Sequence, residues 1–157
     1  MAIEHIQCDI FESGADIICH QVNCQGVMGS GIAKQVRQQY PHVYAAYKRV
    51  CDDFREKKML LGLVQMVNIG DGLNRRYIGN LYAQEEYGRD GKCYTDYGAL
   101  KKCLEQVRDY HMCENETIAI PYKMGCCRGG GDWEKVESMI KEVFYDRNVL
   151  ICEYDGG

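Results

Sequence analysis

A chain that carries the stretch HQVNCQGVMGSGIAKQ at residues 20–35 has few ways to fold around it. Residues 15–22 form an apolar run of strand type. Gly26, Gly29 and Gly31 then break the pattern, and helical periodicity begins at Ile32. A strand that ends in a glycine loop opening a helix brings unpaired N–H groups and the positive end of the helix dipole to one point, where a phosphate can be held. Asn23, at the mouth of the loop, adds an amide that both donates and accepts. The simpler reading is a tight turn and helix start, since glycine serves turns without any ligand. Two sharper motifs are excluded. Lys34 occupies the place of the third glycine in a dinucleotide fingerprint, and no Gly-Lys-Ser/Thr follows to complete a P-loop.

Elsewhere strands alternate with helices. Residues 3–10 alternate apolar and polar and predict a strand, and 15–22, 63–69, 76–83, 117–121 and 149–154 predict five more. Helical spacing covers 32–39. A second helix starts at Pro41 and turns Val43, Ala46, Tyr47, Val50 and Phe54 to one side. A third runs from Asp96 toward Asn115, and a fourth carries Trp133, Val136, Ile140, Val143 and Phe144. Gly70-Asp-Gly72 reads as a hairpin-like turn, and residues 84–93 as a loop. This alternation predicts an α/β fold, a three-layer α/β/α sandwich with a mixed central sheet, as one domain over 1–157. Ligands of such sheets lie beyond the carboxyl ends of the strands. The glycine-rich segment 125–131 also follows a strand, so the two loops are expected to face each other across one cleft.

Composition narrows the function classes. The net charge of −4 argues against binding to a nucleic-acid backbone as the main activity, while a small phosphate site needs only N–H groups. The ten cysteines include no Cys-x-x-Cys pair and read as reduced thiols acting as small apolar residues. Cys126 and Cys127 sit in a candidate site loop, where a reactive thiol is one reading. Ligand spacing for zinc is lacking, so neither a metal nor a cofactor is expected. The start Met1-Ala-Ile-Glu does not read as a signal peptide, and no apolar run approaches the ~20 residues of a membrane span. A cytoplasmic location without a membrane partner is expected.

HQVNCQGVMGSGIA at 20–33 resembles the first ligand loop of macrodomains, the ADP-ribose-binding modules. The closest likeness is to the branch that includes ADP-ribose-1″-phosphate phosphatases and the terminal ADP-ribose protein glycohydrolase. IPYKMGCCRGGGDW at 120–133 resembles that branch's second phosphate loop, and IEHIQCDI at 3–10 resembles its opening strand, which ends in an aspartate. The resemblance implies a role for each matching position. Asp9 would accept from the adenine amino group and the N–H of Ile10 would serve the ring nitrogen; the alternative is a turn aspartate bonded to its own backbone. Asn23 would bond the hydroxyls of the distal ribose, or else satisfy N–H groups of its own loop. Gly29, Ser30, Gly31, Ile32 and Ala33 would hold one phosphate through backbone N–H groups. Gly125, Cys126, Cys127, Arg128 and Gly129 would wrap the other phosphate and the distal ribose, with Arg128 equally readable as a solvated charge. Tyr154 stands where the family often stacks an aromatic ring on adenine, or is a half-buried strand tyrosine. Tyr82, Tyr94 and Tyr97 flank the loop after the fourth strand, and nothing in the pattern singles one out.

Catalysis departs from the family's pattern. The glycohydrolase of the branch uses a lysine after the fourth strand and an acidic residue in the second loop. Aligning YIGNLYA at 77–83 with that strand puts Gln84 at the lysine position, followed by Glu85 and Glu86, and puts Gly129 at the acidic position with Asp132 three residues on. A covalent lysyl intermediate is therefore not expected. Three candidate catalytic residues remain. His20 matches a histidine of the phosphatase loop, and its unperturbed pKa near ~6.5 suits proton transfer to a leaving phosphate; its alternative is a buried strand histidine bonded to a backbone carbonyl. Asn23 lies beside the anomeric carbon. Asp132 either orients a water or caps the helix that begins at Trp133. His5, His42 and His111 are expected in surface or packing roles. The expected function is binding of ADP-ribose with hydrolysis of a 1″-linked group, either phosphate or an ADP-ribosyl adduct on protein or nucleic acid. Against it stand a reader of ADP-ribose that does not turn it over and, more weakly, an RNA-binding module.

Overall fold

The computed structural model describes residues 2–88, 90–110, 115–126 and 129–154. Six strands, β1 (Ile3–Gln7), β2 (Ile17–Asn23), β3 (Val64–Asn68), β4 (Tyr77–Gln84), β5 (Thr117–Pro121) and β6 (Asn148–Glu153), alternate with four α-helices. These are α1 (Gly31–Gln39), α2 (Pro41–Asp53), α3 (Tyr97–Tyr110) and α4 (Trp133–Val143). The strands form one sheet in the order β1-β6-β5-β2-β4-β3, parallel throughout except that β3 runs antiparallel to β4.

Alternation along β2 sends neighbouring side chains to opposite layers. Ile17 and Cys19 join a core built with Leu100, Cys103 and Leu104 of α3 and Val136 and Ile140 of α4. Ile18 and Val22 join a second core with Val36 of α1 and Val43, Tyr47 and Cys51 of α2. Helices thus cover both faces of a mixed sheet, the three-layer sandwich expected from the pattern. Ile17, Ile18 and Cys19 are at most 1 % exposed, because a central parallel strand is covered on both sides.

Most predicted elements are present with small shifts at their ends. The main differences have local causes. The first strand stops at Gln7 instead of continuing to Ile10, because the Asp9 carboxylate accepts from the N–H of Phe11 and starts a one-turn 3-10 helix over Ile10–Glu12. A second such turn, Lys57–Leu60, follows α2 and had no signal in the periodicity. α1 begins at Gly31, one residue earlier than its apolar pattern, and β4 extends to Gln84. α3 is described to Tyr110; the rest of the expected helix, with His111, lies outside the described residues. None of the described cysteines is in a disulfide. Among the described residues no helix is long and apolar enough to cross a membrane.

Candidate functional site

The carboxyl ends of β2, β4 and β5 open onto a cleft of about 430 Å³. Its walls include Gly29–Ala33 from the start of α1 on one side and Gly125 and Gly129 from the loop after β5 on the other, with His20, Gln21, Asn23 and Gln84 between them. The two glycine loops therefore bound one cavity.

The first loop leaves β2 at a register shift between Val22 and Asn23, which sets Asn23 beside Gln84 across the strand pair. Tyr47 of α2, fully buried, braces this loop. Its hydroxyl oxygen accepts from the N–H groups of Gly26 and Val27, both at 3.1 Å, and lies 2.7 Å from Asn23 Oδ1 and 2.8 Å from the Asn23 carbonyl, to which its hydrogen is shared. Asn23 also works for the loop: Oδ1 accepts from Gln25 N–H and Nδ2 donates to the Val27 carbonyl. The braced loop delivers Gly31, at φ +58, as the first residue of α1. Ser30 occupies the N-cap position but makes no side-chain cap bond, so the first-turn N–H groups of α1 are not capped by that side chain where they meet the cleft.

The second loop is held from behind by the segment that leads into α3. The Gly129 carbonyl accepts from the N–H groups of Tyr94 and Thr95, and the Gly125 carbonyl from Gly131 N–H and the Thr95 hydroxyl. A Cβ on Gly125, where φ is +76, would come 2.6 Å from Gln21 Oε1, and one on Gly129 would come 2.5 Å from the Gly125 carbonyl. Only glycine permits this approach.

His20 sits in the cleft wall, 2 % exposed, with Nε2 2.6 Å from Asn80 Oδ1. Asn80 Nδ2 donates to Gln65 Oε1, so Asn80 turns its oxygen to the histidine and Nε2 carries the hydrogen. Nδ1 is buried without a partner. Burial pushes the ring's pKa down to about 4, outweighing the bond to Asn80, which favours the charged form. A neutral ring near pH 7 can accept a hydrogen bond at Nδ1 but is not charged to act as an acid. Burial thus runs against the proton transfer expected of His20, and the ring's partner is a side chain in place of the backbone carbonyl of the alternative. Burial also raises the Cys24 thiol to about 12, so this loop cysteine is not a reactive thiolate.

The structure separates the sequence-predicted residues into groups. His20, Asn23, Gly29, Ser30, Gly31, Ile32, Ala33, Gly125 and Gly129 line the cleft together. Asp9, Ile10 and Tyr154 follow β1 and β6 on the same carboxyl edge of the sheet but do not line it. Asp9 caps the turn that follows, Ile10 is buried, and Tyr154 is 54 % exposed. Cys126 also stays out of the lining: its N–H donates to the Lys123 carbonyl inside the turn and its Sγ lies 3.4 Å from the Met124 carbonyl. Asp132 is exposed, lies outside the cleft lining and accepts from Glu134 N–H as the N-cap of α4, the alternative that the sequence offered beside orienting a water. Cys127 and Arg128 lie outside the described residues.

Sequence reasoning missed Tyr47, which looked like one more apolar-face residue of α2, and Thr95. It also passed over Gln21, whose signal was a polar residue inside an otherwise buried strand. Lys123, the non-glycine residue with φ near +60, is the lining's one lysine or arginine among the described residues. No carboxylate is among the described lining residues. Nor is any group of three or more His, Cys, Asp and Glu among the described residues placed to hold a metal ion.

A macro domain family model matches residues 19–140. The DNA ADP-ribosyl glycohydrolase of Mycobacterium tuberculosis is 28% identical over 153 residues, covering 95% of this chain and 41% of that protein. The chain thus spans about two fifths of the length of the first curated relatives it matches. An ADP-ribose 1″-phosphate phosphatase from Scheffersomyces stipitis is 26% identical over 158 residues, covering 89% of this chain and 90% of that one. Among solved structures, the macrodomain of Mycobacterium tuberculosis DarG superposes with a TM-score of 0.76 at 26% identity, over 96% of this chain and 97% of that one. The matched region contains both glycine loops, all of β5 and most of β2, and the chain belongs to the macro domain family.

Proposed function

We propose that the cleft binds ADP-ribose, with the diphosphate cradled by backbone N–H groups of the two loops and the distal ribose toward Asn23 and Gln84. The observation that carries this reading is that a helix start without a side-chain cap and a loop whose Gly125 and Gly129 have no room for a Cβ border the same cavity. Such a cradle supplies fixed donors to a diphosphate without buried cations. A lining without carboxylates among the described residues suits an anionic ligand.

The cleft then hydrolyses a group from the 1″ carbon, a phosphate or an ADP-ribosyl adduct on a nucleic acid or protein. Relatives named for both kinds of reaction support this class of substrate. Catalysis works by positioning: the held diphosphate presents the distal ribose to water, and His20 Nδ1 is an acceptor in the wall. A second reading, binding without turnover, is favoured by one observation. Gln84, whose amide is engaged at both ends, occupies the position that the sequence resemblance gives to a nucleophilic lysine.

Calorimetric titration with ADP-ribose tests the first step. The wild type is expected to bind saturably, and Gly31→Glu to lose at least about 30-fold in affinity, since it sets a carboxylate against the phosphate. A Cβ at Gly31 meets nothing within 4 Å, so the variant has room to fold despite the strain of its φ. Absence of binding by the wild type sinks the proposal. Release of phosphate from ADP-ribose 1″-phosphate, or of ADP-ribose from a modified oligonucleotide, separates enzyme from reader.

A further inference from the structure

We propose that Gln21, Thr95 and Gln84 form a hydrogen-bond chain of fixed polarity that presents Gln84 to the group on the distal ribose as a donor. The proposal rests on the ADP-ribose reading of the cleft. The chain begins at the Gly125 carbonyl, which can only accept, so the Thr95 hydroxyl 2.7 Å away donates to it. With its one hydrogen committed, Thr95 Oγ1 accepts from Gln21 Nε2 at 2.9 Å. The Gln21 nitrogen, held on that side, also donates to Gln84 Oε1 at 2.7 Å. Gln84 therefore shows its nitrogen to the Glu86 carbonyl, 2.8 Å away.

A pure acceptor at each end leaves one consistent arrangement, because reversing either amide would set oxygen against oxygen. When the four bonds are counted, one N–H of Gln84 remains unspent, and Gln21 Oε1 is buried without a partner. Both glutamines line the cleft, and Gln84 is the register partner of Asn23. Thr95, 6 % exposed, lies outside the lining and acts only through the chain. Thr95 and Gln21 are positioning residues: they hold the second loop by its carbonyl and, through the same bonds, decide which atom of Gln84 is offered to the ligand. A donor in a wall with no carboxylate among its described residues suits an oxygen-rich, anionic 1″ substituent such as a phosphate ester.

The test compares affinities for ADP-ribose and ADP-ribose 1″-phosphate, measured by competition within seconds of mixing, before turnover. The ratio of the two constants does not depend on how much of a variant is folded. Gln84→Met is expected to weaken the phosphorylated ligand about tenfold relative to ADP-ribose. Gln21→Glu keeps the side chain's shape but can only accept, which draws the Thr95 hydrogen away from Gly125 and reverses Gln84; it is expected to shift the ratio by a similar factor. The double variant should be no worse than Gln84→Met alone. Thr95→Val should move the ratio and Thr95→Ser should not. An unchanged ratio in Gln21→Glu, additive effects, or equal behaviour of the two Thr95 variants overturns the proposal. A wild type that binds neither nucleotide overturns the reading of the cleft instead.

Discussion

At the scale of single residues, His20 links burial to acid sensitivity. Its unfolded-state pKa is near ~6.5 and burial lowers the folded value to about 4. Above pH 6.5 both states are neutral and the residue contributes no pH dependence. As the pH falls from about 6.5 to about 4, the unfolded chain takes up a proton that the folded chain refuses, and folding loses about 3 kcal/mol over that window. Urea midpoints measured across it should fall more steeply for the wild type than for His20→Gln. Parallel slopes would show that the ring is not held neutral. Some of this was readable from the sequence and some was not. A histidine ending an apolar run announces burial, but its partner Asn80 lies 60 residues away on β4, and only the sheet's register brings them together. For the same reason Gln21 and Thr95, 74 residues apart, gave no joint signal.

Among the elements, two helix starts divide the roles that the sequence left open. α4 is capped by Asp132, whose carboxylate takes the Glu134 N–H, whereas Ser30 gives α1 no side-chain cap. Asp132→Ala is expected to cost about 1 kcal/mol of stability and to leave ligand affinity and turnover within about twofold of wild type. Thermal melts beside rate measurements check this; a large rate loss in a stable variant would return Asp132 to the chemistry. Element types were legible because periods of 2 and 3.6 survive in the apolar pattern, as in Val136, Ile140 and Val143 of α4. Boundaries slipped where a side chain bonded its own backbone, as Asp9 does in ending β1 early. Glycine positions reported the two loops well, since a glycine's absent side chain is itself a backbone statement. Which loop side chains face the ligand was not legible: Cys126 lies beside Gly125 in sequence yet turns its N–H back to Lys123.

For the molecule as a whole, the sheet separates two cores and gathers its functional loops on one edge. The chain carries a net charge of −4, and the proposed diphosphate would meet backbone dipoles in the cleft, Lys123 being its one lysine or arginine among the described residues. Binding of ADP-ribose should therefore depend weakly on ionic strength, changing by less than about fivefold between 50 and 200 mM salt, unlike recognition built on many lysines and arginines. A steep dependence would point to a basic surface as the real docking element. The placement of Tyr47 carries a consequence for how such a protein fails. The hydroxyl that braces the first loop belongs to a ring packed wholly inside the core beneath α2. Damage to that interior, even far from any ligand, would loosen the grip on the nucleotide before the chain lost its shape, and an occupied cleft would in turn brace the helix below.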